Sequence, residues 1–213
     1  MKKGFTLAEV LITLGIIGVV AALTMPAVIN NTQKKQLEAA LKKNYSVLQN
    51  AIQHAAYEEG QPINRANYMD LDEFRALLAR NLNVAKDCGM LSCAGRDVYK
   101  TFDKSINANS NWIDNGQLLL NDGSLLMIEN TSSTIYCISV DVNGPKKPPN
   151  IWGYDLFTFQ LMSDGKLLPM GAPDTLMGYD VAGFCSETPG NENNGLTCAY
   201  RAFTEDDYWK NLK

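Results

Sequence analysis

A single carboxylate, Glu9, stands within an apolar run that begins at Phe5 and reaches Met25. Two lysines and Gly4 precede this run. A helix of about 20 apolar residues can cross a bilayer, and a carboxylate inside such a helix is costly unless it has a partner. Such a carboxylate usually marks a functional position, so Glu9 is the first candidate functional residue.

The stretch Lys2-Lys3-Gly4-Phe5-Thr6-Leu7-Ala8-Glu9 resembles the class III signal of type IV prepilins and type II secretion pseudopilins. In that family a membrane peptidase cuts after the glycine, and the new N-terminal residue is methylated. The resemblance implies cleavage between Gly4 and Phe5 and N-methylation of Phe5. It also implies that Glu9 pairs with the N-terminal amine of a neighbouring subunit during filament assembly.

Two other interpretations of the N-terminus are open. An ordinary secretory signal also has a basic start and an apolar core, with Ala21-Ala22 as a cleavage site. An uncleaved anchor holding an exported binding or enzymatic domain would explain the apolar length alone. Neither explains Gly4, Phe5 and Glu9 together. The prepilin interpretation divides the chain into a leader (1–4), a transmembrane and assembly helix (5–26) and a globular domain (27–213).

The basic flank also predicts orientation. Lys2 and Lys3 should stay cytoplasmic, so the residues after Met25 should lie across the membrane. The expected protein is a single-pass inner-membrane subunit whose C-terminal domain is periplasmic, or extracellular in an assembled filament. The partners implied by the resemblance are other pilin or pseudopilin subunits, the prepilin peptidase and an inner-membrane assembly platform.

Five cysteines follow the apolar run, and export would permit disulfides. Neighbours in sequence give the simplest pairing, which is Cys88 with Cys93 and Cys185 with Cys198, although other pairings are compatible with the sequence. Cys137 is then left over. A structural zinc site does not fit, because the cysteine spacing is wrong and His54 is the only histidine.

Oxygen ligands occur between two predicted strands, at Asp141, Asn143 and Asp155. They could converge on a hard cation such as calcium. Asp and Asn are also ordinary turn residues that hydrogen-bond their own backbone, so a plain turn is the alternative. No other cofactor is expected.

Residues suited to catalysis are scarce. The lone histidine, His54, lies on a predicted helix, and acid pairs such as Glu58-Glu59 and Asp206-Asp207 are typical of solvated surface. No nucleotide-binding loop or nucleophile elbow is present in the sequence. The formal charge of −4 provides no basic excess for nucleic acid. We therefore expect a structural subunit, not an enzyme.

Two helices should position these residues. After Pro26, which should loosen the helix, apolar residues recur at three- and four-residue steps until Gly60 and Pro62 stop the pattern. A second helix is predicted at 71–83 with Asp70 as its cap. A polar connector, 87–111, follows.

The period then changes to that of strands. Predicted strands at 117–120 and 124–129 flank a hairpin turn, and further strands follow at 134–142, 155–162 and 167–169. The rest of the chain, from Gly171, is predicted to be mostly loop, with a short last helix capped by Thr204. The expected fold class is α+β: a long N-terminal helix packed on a small antiparallel sheet, as in pilins.

Overall fold

The computed structural model describes residues 6–132 and 135–212. The chain divides after Gln36 into two compact units. Helix α1, Leu7–Glu59, contributes its first part to the N-terminal unit and its second part to the C-terminal unit. It is helical through position 26, where the sequence predicted a loosened turn.

The second part of α1 belongs to a packed core. Leu41, Leu48 and Ile52 recur on one face and are almost completely buried, as the helical periodicity predicts. The helix ends before Gly60, whose φ of +68° is the left-handed conformation that glycine adopts readily at a helix end.

Helix α2, Leu71–Asn81, begins where the sequence predicted. The Asp70 carboxylate accepts hydrogen bonds from the amides of Asp72 and Glu73, at 2.8 and 3.0 Å, so the predicted cap is confirmed. The buried side of α2 carries Phe74, whose ring stacks on Tyr136 with centroids 4.2 Å apart. This contact fastens α2 to the sheet.

Six antiparallel strands form one sheet in which the spatial order follows the chain order. The strands are β1 Val84–Gly89, β2 Gly116–Leu120, β3 Leu125–Ser132, β4 Ile135–Asp141, β5 Leu156–Leu161 and β6 Leu167–Pro169. With α1 ahead of it, this sheet gives the predicted α+β, pilin-like layout.

Both faces of the sheet are covered. One face packs against α1, α2 and the C-terminal residues and includes Ile138 and Phe157. The other face, which includes Met127 and Leu156, is covered by Trp152 and by irregular chain before β2 and after β6. Because alternate side chains of a strand point to opposite faces, the four central strands β2, β3, β4 and β5 each contribute to both cores.

Three sequence predictions need correction. The predicted polar connector begins inside β1, a strand whose Lys86 and Asp87 are exposed because it lies at the sheet edge. The segment 198–204, predicted to be mostly loop, is helical, and a short 3-10 helix, Ser110–Trp112, lies at the end of the connector. Thr204 does not cap the last helix; it is the final residue of α3, Cys198–Thr204, and α4 follows at Tyr208–Asn211.

Candidate functional site

The N-terminal site is described from Thr6 onward. Gly4 and Phe5, the residues of the expected cleavage and methylation, lie outside the described residues. Glu9 lies in the first turn of α1.

Thr6 and Glu9 form a reciprocal cap at the start of α1. The Thr6 amide and hydroxyl each donate to Glu9 Oε2 at 2.8 Å, and the Glu9 amide donates to Thr6 Oγ1 at 3.3 Å. A Thr-x-x-Glu spacing is the sequence signature of such a capping box. From the sequence, Glu9 was interpreted only as an assembly residue, although the Thr-x-x-Glu spacing already indicated Thr6 as its local partner.

The surface of α1 beyond the cap is apolar and exposed. One window of this helix is long and apolar enough to cross a membrane, and none of that window is buried within the protein. Its exposed large side chains are Leu7, Val10, Leu11, Ile12, Leu14, Ile16, Ile17, Val19, Val20, Leu23, Met25, Val28 and Ile29. A surface of this size needs lipid or other protein chains to cover it.

Two disulfides lie in the C-terminal unit, and they join the pairs suggested by the sequence. Cys88 is bonded to Cys93, and Cys185 to Cys198, with Cα atoms 5.7 and 5.1 Å apart. The second bridge ties the 186–197 loop to the first turn of α3. Cys137 is buried within β4.

The structure brings Asp141, Asn143 and Asp155 into one loop region between β4 and β5. Asp141 Oδ1 accepts from the amides of Asn143 and Gly144, at 3.2 and 2.8 Å. Its Oδ2 accepts from the Tyr99 hydroxyl at 2.8 Å. This is the hydrogen bonding expected of an Asp turn. Tyr99 was missed because nothing in its sequence surroundings indicates a long-range partner.

Asp155 is equally enclosed. Its two carboxylate oxygens accept from the amides of Asn150 and Ile151, both at 2.8 Å. Burial raises the pKa of Asp141 to about 6. Burial, together with the nearby charge of Asp141, raises the pKa of Asp155 to about 7. Two buried carboxyls whose charges interact favour the uptake of a proton or of a cation.

Two side-chain amide oxygens in the β4–β5 loop could act as further ligands for a cation held by Asp141 and Asp155. Asn143 Nδ2 donates to the carbonyls of Lys147 and Pro148, at 3.3 and 3.1 Å, which fixes the orientation of its amide. Asn143 Oδ1 and Asn150 Oδ1 are then buried without a hydrogen-bond partner among the described residues. Two carboxylates and two amide oxygens are ligands suited to calcium.

A further buried acid lies at the opposite end of β3. Glu129 Oε1 accepts from the amides of Asp114 and Asn115, both at 2.7 Å. Burial is the main cause that raises the pKa of Glu129 to about 8. This cluster borders a polar cavity of about 520 Å³ beside Trp112.

Groups typical of enzyme centres do not converge in the part of the chain that the structure describes. His54 is exposed on α1, and its Nδ1 lies 2.7 Å from Asn81 Oδ1. No group of three or more His, Cys, Asp or Glu side chains suited to a metal occurs among residues 6–132 and 135–212.

Comparison with known families gives two matches. The sequence model of a family described as a family of unknown function (DUF6613) matches residues 27–168. The model of the prokaryotic N-terminal methylation motif matches residues 1–25. Comparison with curated proteins and with solved structures finds no match.

Proposed function

The chain belongs to the family of unknown function DUF6613, and because the prokaryotic N-terminal methylation motif precedes the matched region, we propose that it is a filament subunit. The filament is of the type IV pilus or type II secretion pseudopilus kind. The observation that carries this proposal is the motif at residues 1–25, continued by a helix whose apolar surface is exposed. The pilin-like layout of helix and sheet supports it.

In this proposal a prepilin peptidase removes residues 1–4 and leaves Phe5 as the methylated N-terminus. Residues 5–26 then anchor the subunit in the inner membrane, and residues 27–213 form the head on the far side. An assembly platform draws the subunit into a filament, in which apolar helix surfaces cover one another. The family match begins at residue 27, directly after the proposed assembly segment.

Glu9 has two partners in this mechanism. Within its own subunit it accepts from Thr6 through Oε2, which fixes the first turn of α1. The carboxylate charge can then pair with the Phe5 amine of a neighbour. Pairing offsets the cost of a charge in apolar surroundings, so an incoming subunit is stabilised when its register brings the two groups together.

The direct test is incorporation into filaments. Filaments sheared from cells that express the chain and the assembly machinery should contain the processed chain, and cells lacking the peptidase should yield none. An uncleaved anchor with an exported binding or enzymatic domain is the alternative. In that case the full-length chain would stay in the membrane whether or not the peptidase is present.

We also propose that the β4–β5 loop binds calcium through Asp141, Asn143 and Asp155. The observation that supports this is the pair of side-chain amide oxygens, on Asn143 and Asn150, that lack a hydrogen-bond partner among the described residues and lie in the same loop as two buried carboxyls.

Binding of calcium to the folded state alone raises the melting temperature by linkage. Calcium should therefore raise the melting temperature of the full-length protein in detergent, and Asp155→Asn should remove that rise. A melting temperature unaffected by calcium and by chelator would leave the loop as a hydrogen-bonded turn.

A further inference from the structure

A cavity of about 380 Å³ lies where the loop after β1, the β2–β3 turn and the β4–β5 loop meet. Its lining includes the apolar residues Cys93, Leu119 and Pro145 and three exposed lysines, Lys86, Lys146 and Lys147. We name these three residues the lysine site. An apolar surface ringed by one sign of charge is suited to an acidic segment of another protein.

The strand register explains how Lys86 comes to this cavity. Lys86 is opposite Leu119, whereas its neighbour Asp87 is opposite Leu118. Alternation therefore places Lys86 and Asp87 on different faces of the sheet. Asp87 pairs with Arg75 of α2 at 3.1 Å on the α1 face, and Lys86 is left at the cavity on the other face.

The charge of the lysine site is not balanced within the described residues. Seven other Lys and Arg side chains each have an acidic partner within 3.5 Å, namely Lys42, Lys43, Arg75, Arg80, Arg96, Lys166 and Arg201. The three members of the lysine site have no ion pair in residues 6–132 and 135–212. In a chain with net charge −4, this concentration of unbalanced cations favours an acidic partner.

The site is held in shape before a partner arrives. The Lys147 amide donates to the Gly144 carbonyl at 2.9 Å, and Asn150 Nδ2 donates to the Pro145 carbonyl at 3.1 Å. Gly144 has φ +87°, and a Cβ there would lie 2.1 Å from the Gly123 carbonyl oxygen. This close approach fixes the loop against the β2–β3 turn, so binding would order only the lysine side chains.

An acidic counterpart lies on the opposite face. Asp206-Asp207, which we name the acidic segment, lies between α3 and α4, and both residues are exposed, whereas the neighbouring Glu205 is already paired with Arg201 at 2.7 Å. It is held from both sides, because Phe203 packs on Tyr45 and Trp209 packs on Phe157. These rings belong to the core beneath α1, whereas Leu119 packs against the other core. One head therefore cannot bring the two charged sites together, but two heads can.

We infer that the lysine site docks the acidic segment of a second copy of this chain, an inference that rests on the proposed filament function. The contact joins different surfaces of the two copies, and a heterologous contact of this kind produces an open helical filament when its rotation does not close into a ring. It would add a contact between heads to the contact between N-terminal helices, and it would set the register of neighbouring heads by charge.

Charge reversal in the full chain tests this inference. Lys146→Glu with Lys147→Glu should lower incorporation into sheared filaments several-fold, and so should Asp206→Lys with Asp207→Lys. A chain that carries all four changes should regain incorporation, because the charges again match. Co-expression of the two double variants should also restore incorporation, because the reversed site of one variant matches the reversed segment of the other. Lys166→Glu, at an exposed lysine outside the site, is the control and should assemble normally.

A zero-length carbodiimide cross-link gives a second readout. In filaments grown from mixed heavy and light isotope-labelled chains, the cross-link should join Lys146 or Lys147 of one copy to Asp206 or Asp207 of another.

Normal assembly of both double variants, with no such cross-link in wild-type filaments, would overturn the inference and leave the filament function intact. Variants that assemble normally but lose DNA binding would assign the lysine site to nucleic acid instead. Failure of the wild-type chain to assemble would overturn both proposals.

Discussion

At the scale of single residues, we propose that Glu9 combines a local role with an intermolecular one. The local role follows from the Thr6 hydrogen bonds to Oε2, which need an acceptor and not a charge. The intermolecular role, pairing with an amine, needs the charge. Glutamine can still act in a capping box, whereas leucine cannot, so the two roles can be separated by substitution.

We predict that Glu9→Gln and Glu9→Leu are both cleaved and both fail to enter filaments, because neither carries a charge. Thr6→Ala, which weakens the cap and keeps the charge, should still assemble. The measurement is the fraction of processed chain in sheared filaments, with the membrane fraction as the control for expression. If Glu9→Gln assembled like the wild type while Glu9→Leu did not, the cap and not the charge would be what assembly needs.

Asp155 gives a prediction about pH. Its pKa is about 7 in the folded chain, against about 3.9 in an unfolded chain. Because the folded state holds the proton more tightly, the stability that Asp155 contributes is present below about pH 4 and is lost as the pH rises towards about 7.

We expect the free energy of unfolding of the full chain in detergent and chelator to fall by an amount on the order of 2 kcal/mol between about pH 5 and about pH 8. Asp141 and Glu129 act in the same direction, since their pKa values are also raised. The matched comparison is therefore Asp155→Asn, for which the free energy of unfolding should fall less steeply with pH. Added calcium should flatten the wild-type curve by stabilising the charged form. If the free energy of unfolding fell equally steeply with pH in the wild type and in Asp155→Asn, a raised pKa of Asp155 would be contradicted.

At the scale of elements, much of the fold could be predicted from local signals. The Asp70 cap begins α2, and the hairpin turn after Leu120 sets the β2–β3 register. β1 was missed because an edge strand with Lys86 and Asp87 lacks the apolar alternation of a buried strand. α3 was missed because its first residue, Cys198, is tied by a disulfide, and tertiary bonding of this kind leaves no helical period in the sequence.

The residues of the β4–β5 loop and of the lysine site could be predicted only in part, because some of their contacts are made between segments that are distant in sequence. Asp141 and Asp155 were found because they bracket a turn-rich segment in sequence. Their partner Tyr99 and the grouping of Lys86 with Lys146 and Lys147 depend on how distant loops meet, and no short-range pattern records that. Thr6 is different, since the Thr-x-x-Glu spacing was present in the sequence.

The Cys185–Cys198 bridge allows a comparison of two loops. In the chain-entropy model its closed loop contributes about 3 kcal/mol, and the shorter Cys88–Cys93 loop about 2 kcal/mol. Replacing both cysteines of a pair by serine should therefore lower the melting temperature more for the 185–198 pair. Calorimetry of the two double variants measures this. A larger loss for the 88–93 pair would show that local packing, and not loop length, decides the contribution.

At the scale of the whole molecule, the chain combines an exposed apolar helix with an acidic, disulfide-tied head. The C-terminal unit contains two cores, and all the buried residues of both cores lie after Gln36. In the N-terminal unit, by contrast, the described large apolar side chains from Leu7 to Ile29 are exposed. An assembly in which helices cover one another and heads match by charge would satisfy both parts.

The mass of the N-terminal peptide tests the central claim most directly. For the chain purified from cells that contain the prepilin peptidase, mass spectrometry should find a peptide that begins at Phe5 and carries one added methyl group. Gly4→Val should leave the precursor uncut, because a side chain would obstruct the close backbone approach that glycine permits, and Gly4→Ala is the milder comparison. A wild-type peptide that still begins at Met1, or one cut after Ala22, would contradict the account.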